Sequence, residues 1–226
     1  MKVYYFTSQT NALNNIKNHR IKISQIDDLN DPYEWHGIDL RDAQLRKSFK
    51  EGIKSVKDDF GLICFSASWQ NPLMWSHYGD KHKGICLGFD VASEHVQAVA
   101  YTKTVTKTEQ DPYKFVEYLE NGGIDKLLTL KYEDWSYEQE LRVIVPIEQM
   151  DAETKLYFCD FSESLVLTDV ILGHRCNLQP SEFKQYLSDY NSDVRVFKSR
   201  IAFGDFKVVP KLDIREYYHF GKTPSE

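Results

Sequence analysis

The sequence predicts a single α+β domain over residues 1–226, with mixed, mostly antiparallel sheets and interspersed helices. Three observations carry that prediction. Short runs rich in β-branched and aromatic residues recur along the whole chain, from KVYYFT to FKVVP. Helix-like stretches fall between them without a strict strand–helix alternation, which points away from a doubly wound parallel sheet. No internal repeat, low-complexity tract or linker divides the chain.

The elements follow in order. Residues 2–7 (KVYYFT) read as a first strand, and Ser8 as the N-cap of a helix over QTNALNNIKN, with Leu13 and Ile16 on one face. Ile21 and Ile23 alternate with Lys22 and Ser24 in a short strand. LNDPYEW breaks the pattern, because Pro32 drives Asp31 to an extended conformation and Asn30 or Asp31 can close a turn. A polar helix is expected over about 39–56. Gly61 opens a central strand, LICF, and Asn71-Pro72 starts a turn or short helix. Residues 84–90 and VQAVAYTK are further strands. A helix over about 112–129 has Pro112 in its first turn. Residues 139–146, KLYF and LVLTDVIL are strand-like, a helix runs from Pro180 to about 190, and VRVFK and FKVVP close the fold.

A chain of 226 residues can bury a sizeable core. Hydrophobic content of 42% with 27% charged residues is that of a globular protein. A net charge of −6 gives no indication of a nucleic-acid partner, although a local basic patch is compatible with it. The four cysteines lack C-x-x-C and zinc-finger spacing, so they are expected as reduced thiols, and no metal site is expected. No apolar run approaches a membrane span and MKVYYFTSQ has no signal-peptide core, so a cytoplasmic protein without a membrane partner is expected.

The densest stretch is GLICFSASWQNPLMWSHYGDKHKGICLGFD, residues 61–90. In a helix Met74 and His77 stand three apart, as do Trp75 and Tyr78, giving a polar-tipped aromatic patch able to stack a planar ring. A buried aromatic cluster is the competing reading. His77 suits a general base or hydrogen-bond donor. Ser66 and Ser68 alternate at a strand end, where they either bind a ligand hydroxyl or cap the backbone. Gly173-His174-Arg175 reads as a turn or a phosphate contact. In WSYEQELRVIVP, Glu138 and Glu140 would share one face of a strand. Two carboxylates near an apolar run repel each other, so they are either functional or solvated charges paired to Arg142.

LNDPYE, CFSAS, NPLMWSHYGDKHKGICLGFD, the W-x-x-E-x-E-L-R pattern and VILG together resemble a bacterial family of unknown function, number 2971 in the domain-of-unknown-function series. The resemblance runs from Tyr4 to about Val209. The order of parts also looks like the ADP-ribosyltransferase fold, with its split sheet. That likeness implies an NAD-dependent transferase in which Tyr4 or Tyr5 contacts the nicotinamide-side ribose. Ser66, Ser68 or Tyr78 would lie near the nicotinamide, which would stack on Tyr78 or a tryptophan such as Trp75. Glu140 would be catalytic and Glu138 would face the acceptor, a macromolecule or small molecule of unread identity. The first strand departs from the pattern in having no His or Arg. The resemblance further implies a toxin or phage-defence effector. Two readings compete: a non-catalytic module sensing a nucleotide or protein, and a nuclease or phosphotransferase using His77 and Asp80.

Overall fold

The computed structural model describes residues 1–108, 111–211 and 217–221. The first half of the chain gives β1 (Lys2–Thr7), α1 (Gln9–Lys17), β2 (Arg20–Ile23), α2 (Ala43–Val56), β3 (Phe60–Ser66), α3 (Pro72–His77) and β4 (Ile85–Val91). Next come β5 (Gln97–Ala98), β6 (Ala100–Thr102), α4 (Phe115–Tyr118), α5 (Ile124–Leu128), β7 (Leu130–Tyr132) and β8 (Glu140–Pro146). The remainder is β9 (Tyr157–Asp160), β10 (Leu165–Leu172), α6 (Lys184–Leu187), β11 (Val194–Ile201), β12 (Val208–Pro210) and β13 (Tyr218–Phe220). Helices beside mixed, mostly antiparallel strands make this an α+β fold, as the sequence predicts.

The chain forms two compact units. The first comprises Met1–Ile21, Phe65–Val96 and Cys159–Glu226. Its strands lie in the order β12-β11-β10-β4-β1, with β13 also on β11. β1 and β10 both pair antiparallel to β4, and β10 and β11 run parallel. A parallel pair needs a crossover, and the connection here carries a 3₁₀ turn at Pro180–Phe183 followed by α6. β4 is central and buried along nearly all its length, which is why ICLGF reads as an unbroken apolar run. Gly88 is required in it: a Cβ there would lie 2.8 Å from the Asp169 side chain on β10. Ser8 caps α1 by accepting from the Asn11 amide at 3.2 Å, and α1 buries Ala12 and Ile16.

The second unit comprises Lys22–Cys64 and Gln97–Phe158. β5 pairs antiparallel to β8, and β6 pairs parallel to β7. The Asp42 carboxylate caps α2, accepting from the Leu45 amide at 2.7 Å. α2 places Leu45 and Phe49 in a core with Trp35, Leu62, Phe115, Leu119 and Leu127.

Three details differ from the sequence reading. The helix expected over 112–129 is broken between α4 and α5, because Gly122 takes φ +92°, a left-handed conformation. VQAVAYTK divides into β5 and β6, which pair with different strands. Glu138 does not lie on a strand. It ends a 3₁₀ turn, and Gln139 takes φ +46° before β8 begins at Glu140.

Candidate functional site

The residues of the Gly61–Asp90 stretch singled out above lie in the first unit, along with Tyr4 and Tyr5. Asn71 caps α3 by accepting from the Leu73 amide at 2.9 Å, and Pro72 fits the first turn. Residues two apart on a helix face nearly opposite ways, so α3 separates the proposed patch. Trp75 is fully enclosed, donates its indole N–H to the Trp69 carbonyl at 2.7 Å and meets the Phe6 ring edge-on at 5.1 Å. His77 is exposed and Tyr78 half-buried, their ring centroids 6.2 Å apart. Trp75 is thus a core side chain.

Ser66 and Ser68 form a local turn, the Ser66 hydroxyl donating to the Ser68 carbonyl at 3.0 Å and accepting from the Ser68 amide at 3.2 Å. Tyr4 stands opposite Ser66 in the β1–β3 register. Burial, then Asp169, pushes the Tyr4 phenol up to about 12. Tyr5 meets the Phe65 ring edge-on at 6.2 Å.

The loop after α3 holds Asp80, Lys81 and His82 at φ +46°, +53° and +69°. Three successive left-handed non-glycine residues carry a cost of roughly 1–3 kcal/mol each. The His82 ring lies 4.9 Å from that of His174, and the Nδ1 of each is buried without a hydrogen-bond partner among the described residues. Burial, and after it neighbouring positive groups including Arg175, holds both imidazoles below their ordinary pKa. Among the described residues no three His, Cys, Asp or Glu side chains gather as a metal site requires.

The second unit contains the densest charge constellation. Glu34, Lys131, Glu138, Glu140 and Arg142 are all buried, Arg142 completely. Arg142 grips Glu140 with a fork, Nε to Oε1 at 2.7 Å and Nη2 to Oε2 at 2.9 Å. It also donates to a Glu34 carboxylate oxygen and to the Leu128 carbonyl. Lys131 Nζ donates to Glu138 at 2.6 Å and to Glu140 at 2.9 Å, and lies 3.7 Å from Glu34. The Trp135 ring is 5.1 Å from the same ammonium. The Glu140 amide donates to the Tyr101 hydroxyl at 2.8 Å, fixing the start of β8.

Three carboxylates therefore share two cations. Burial works to raise the Glu140 carboxyl, but the hydrogen bonds and charges of Arg142 and Lys131 outweigh it and hold it at about 2. At Glu34 burial wins and its carboxyl is raised, despite Arg142 and Lys131. Burial works against the Lys131 ammonium, yet Glu140, Glu34 and Glu138 raise it. Burial, with Glu140 adding to it, pushes the Cys64 thiol well up, so it is no ready nucleophile.

The Glu140 depression has a consequence for stability. A carboxyl lowered in the folded state contributes stability above its unfolded pKa and loses it as pH falls toward about 2. The contribution is on the order of 3 kcal/mol. Glu34 has the opposite sign, its share being lost as pH rises above the ordinary carboxylate range. Denaturation across pH 2–6 is therefore expected to show stability falling on the acid side, with a shallower fall in Glu140→Gln; an unchanged slope in the variant would contradict the pairing.

Lys131 also forms part of the wall of a hollow of about 260 Å³, lined besides by Tyr33, His36, Gly37, Leu130, Tyr132 and residues Thr102–Val105. Tyr33 and Tyr132 are 69% and 47% exposed, which is high for such large rings, so both are accessible at this rim. That volume is below the roughly 300–1,000 Å³ of sites that enclose a drug-sized ligand. It suits one ring system rather than a whole dinucleotide.

Glu34 belongs to the NDPYE motif, while Glu138, Glu140 and Arg142 belong to WSYEQELR, so two distant motifs meet in one charge cluster. Residues 74–143 match the model of a family described as a protein of unknown function, DUF2971. The DUF2971 match contains Trp75, His77, Tyr78, Lys131, Glu138, Glu140 and Arg142, and it is narrower than the resemblance read from the motifs. No curated protein and no solved structure matches the chain. Sequence reasoning missed Glu34 and Lys131 as partners. A lysine set within the apolar run LLTLKY was the available signal for the second.

Proposed function

We propose that this protein recognises a nucleotide-class ligand through the hollow beside the buried charge cluster, the planar ring entering between Tyr33, His36 and Tyr132. One observation carries this reading: Lys131, locked by Glu138 and Glu140, is at once a member of the cluster and a wall of the aromatic-rimmed hollow. Buried charges are costly to assemble. Here they fix β7, and with it the pocket wall, in one position. An aromatic face stacks a planar ring by about 1–3 kcal/mol per base. NAD, whose nicotinamide and adenine are both planar, is the first ligand to test. Tyr132→Ala is expected to weaken NAD binding about tenfold in calorimetry, and unchanged affinity would remove Tyr132 from the site.

A second reading is NAD-dependent ADP-ribosyl transfer with Glu140 as the catalytic carboxylate. In its favour, Glu140 is held ionised at about 2, as stabilising an oxocarbenium-like transition state requires. Against it, both Glu140 oxygens already accept from Arg142, and Oε2 also accepts from Lys131. The binding reading therefore ranks first. Nicotinamide release from NAD separates the two: turnover by wild-type protein that Glu140→Gln abolishes would put transfer ahead.

A further inference from the structure

A second hollow of the same unit, about 540 Å³, lies along α2. It is lined by Arg46, Lys50 and Lys54 of that helix and Lys57 at its C-terminal cap, with Leu40, Phe49 and Ile53 as apolar floor and His36 and Asp27 at its sides. The four cations are spaced four, four and three residues apart, which places them on one helix face. They extend over about 16 Å at the rise of an α-helix. This line of positive charge stands in a chain of net charge −6.

The cations are not equivalent. Lys57 is paired to Asp27 at 2.5 Å. Arg46 Nη1 donates to the carbonyls of Leu40 and Arg41 at 2.8 and 2.6 Å, which anchors the guanidinium by backbone oxygens and leaves its charge uncompensated. Among the described residues no carboxylate forms an ion pair with Arg46, Lys50 or Lys54. Lys47 is exposed on α2 and does not line the hollow.

The geometry points to a binding cleft for the phosphate chain of a nucleoside polyphosphate, held by Arg46, Lys50 and Lys54. A cleft of this size accommodates one nucleotide. A short polyanion gains the field of three cations at close range, whereas a long nucleic acid would extend onto a net-negative protein and be repelled. This inference does not depend on the ring pocket, because a phosphate chain without a ring tests it alone.

The test is calorimetric titration of the full chain with inorganic tripolyphosphate, ATP and a single-stranded oligothymidylate. Each is run on wild type, on Lys50→Glu/Lys54→Glu and on Lys47→Glu, with circular dichroism checking the fold. Expected are saturable one-to-one binding of tripolyphosphate and ATP, weakening with salt, and a tenfold or greater loss in the double variant. Lys47→Glu should bind as wild type does. Absence of binding overturns the inference, as does equal loss in Lys47→Glu, which would mean only a general charge effect. Oligothymidylate binding tighter than ATP would replace the nucleotide by a nucleic acid and overturn it too.

Discussion

Arg142→Met is expected to destabilise the folded chain by about 3–5 kcal/mol, the range for removing one partner of a buried ion pair. The guanidinium is completely buried and serves Glu34, Glu140 and the Leu128 carbonyl together. Without it Glu34, Glu138 and Glu140 remain in the interior with Lys131 as their one cation in the cluster. Arg142→Lys keeps the charge but loses the fork, so it is expected to recover only part of the loss. Urea denaturation gives the comparison. Because Arg142 and Glu34 touch, the double replacement Arg142→Met/Glu34→Gln should cost less than the sum of the single ones. A loss under about 1 kcal/mol for Arg142→Met, the size of a surface pair, would mean that the guanidinium is solvated and the cluster is not the interior feature described.

Trp75→Ala is expected to cost about as much, 3–5 kcal/mol, through the cavity it leaves. The indole exposes no surface, contacts Phe6 edge-on and donates to the Trp69 carbonyl. Trp75→Phe should cost less, chiefly the lost N–H bond and the incomplete fill. Its NAD affinity, measured on folded protein, should equal that of wild type. A marked loss of affinity in Trp75→Phe with little loss of stability would restore this ring as a ligand platform.

The fold class was legible because each central strand carries its burial in its composition. ICLGF is apolar without alternation, as a strand covered on both faces must be, and Ser8, Asn71 and Pro72 mark helix starts by their hydrogen-bonding chemistry. The break at Gly122 has a local signal in Asn121-Gly122-Gly123, a turn-forming run that the apolar repeat of Phe115, Leu119 and Leu127 on either side of it masks, and the left-handed φ of Gly122 is where the helix stops. The aromatic patch rests on the pairs Met74–His77 and Trp75–Tyr78, each three residues apart, and this spacing does not bring the two pairs to one face: the turn of α3 sends Trp75 inward and His77 to solvent. Glu138 and Glu140 do converge, though not by strand alternation. The left-handed Gln139 turns the chain between them, and both reach the same Lys131. Glu34 lies more than a hundred positions from Arg142, and a contact that distant leaves no local periodicity to read.

The most direct measurement is calorimetric titration of NAD into wild-type protein and into Tyr33→Ala/Tyr132→Ala, with the variant's fold verified. Saturable binding by wild type and an affinity at least about tenfold lower in the double variant are expected from a ring seated beside Lys131. No binding by wild type, or equal affinity in both proteins, would contradict it.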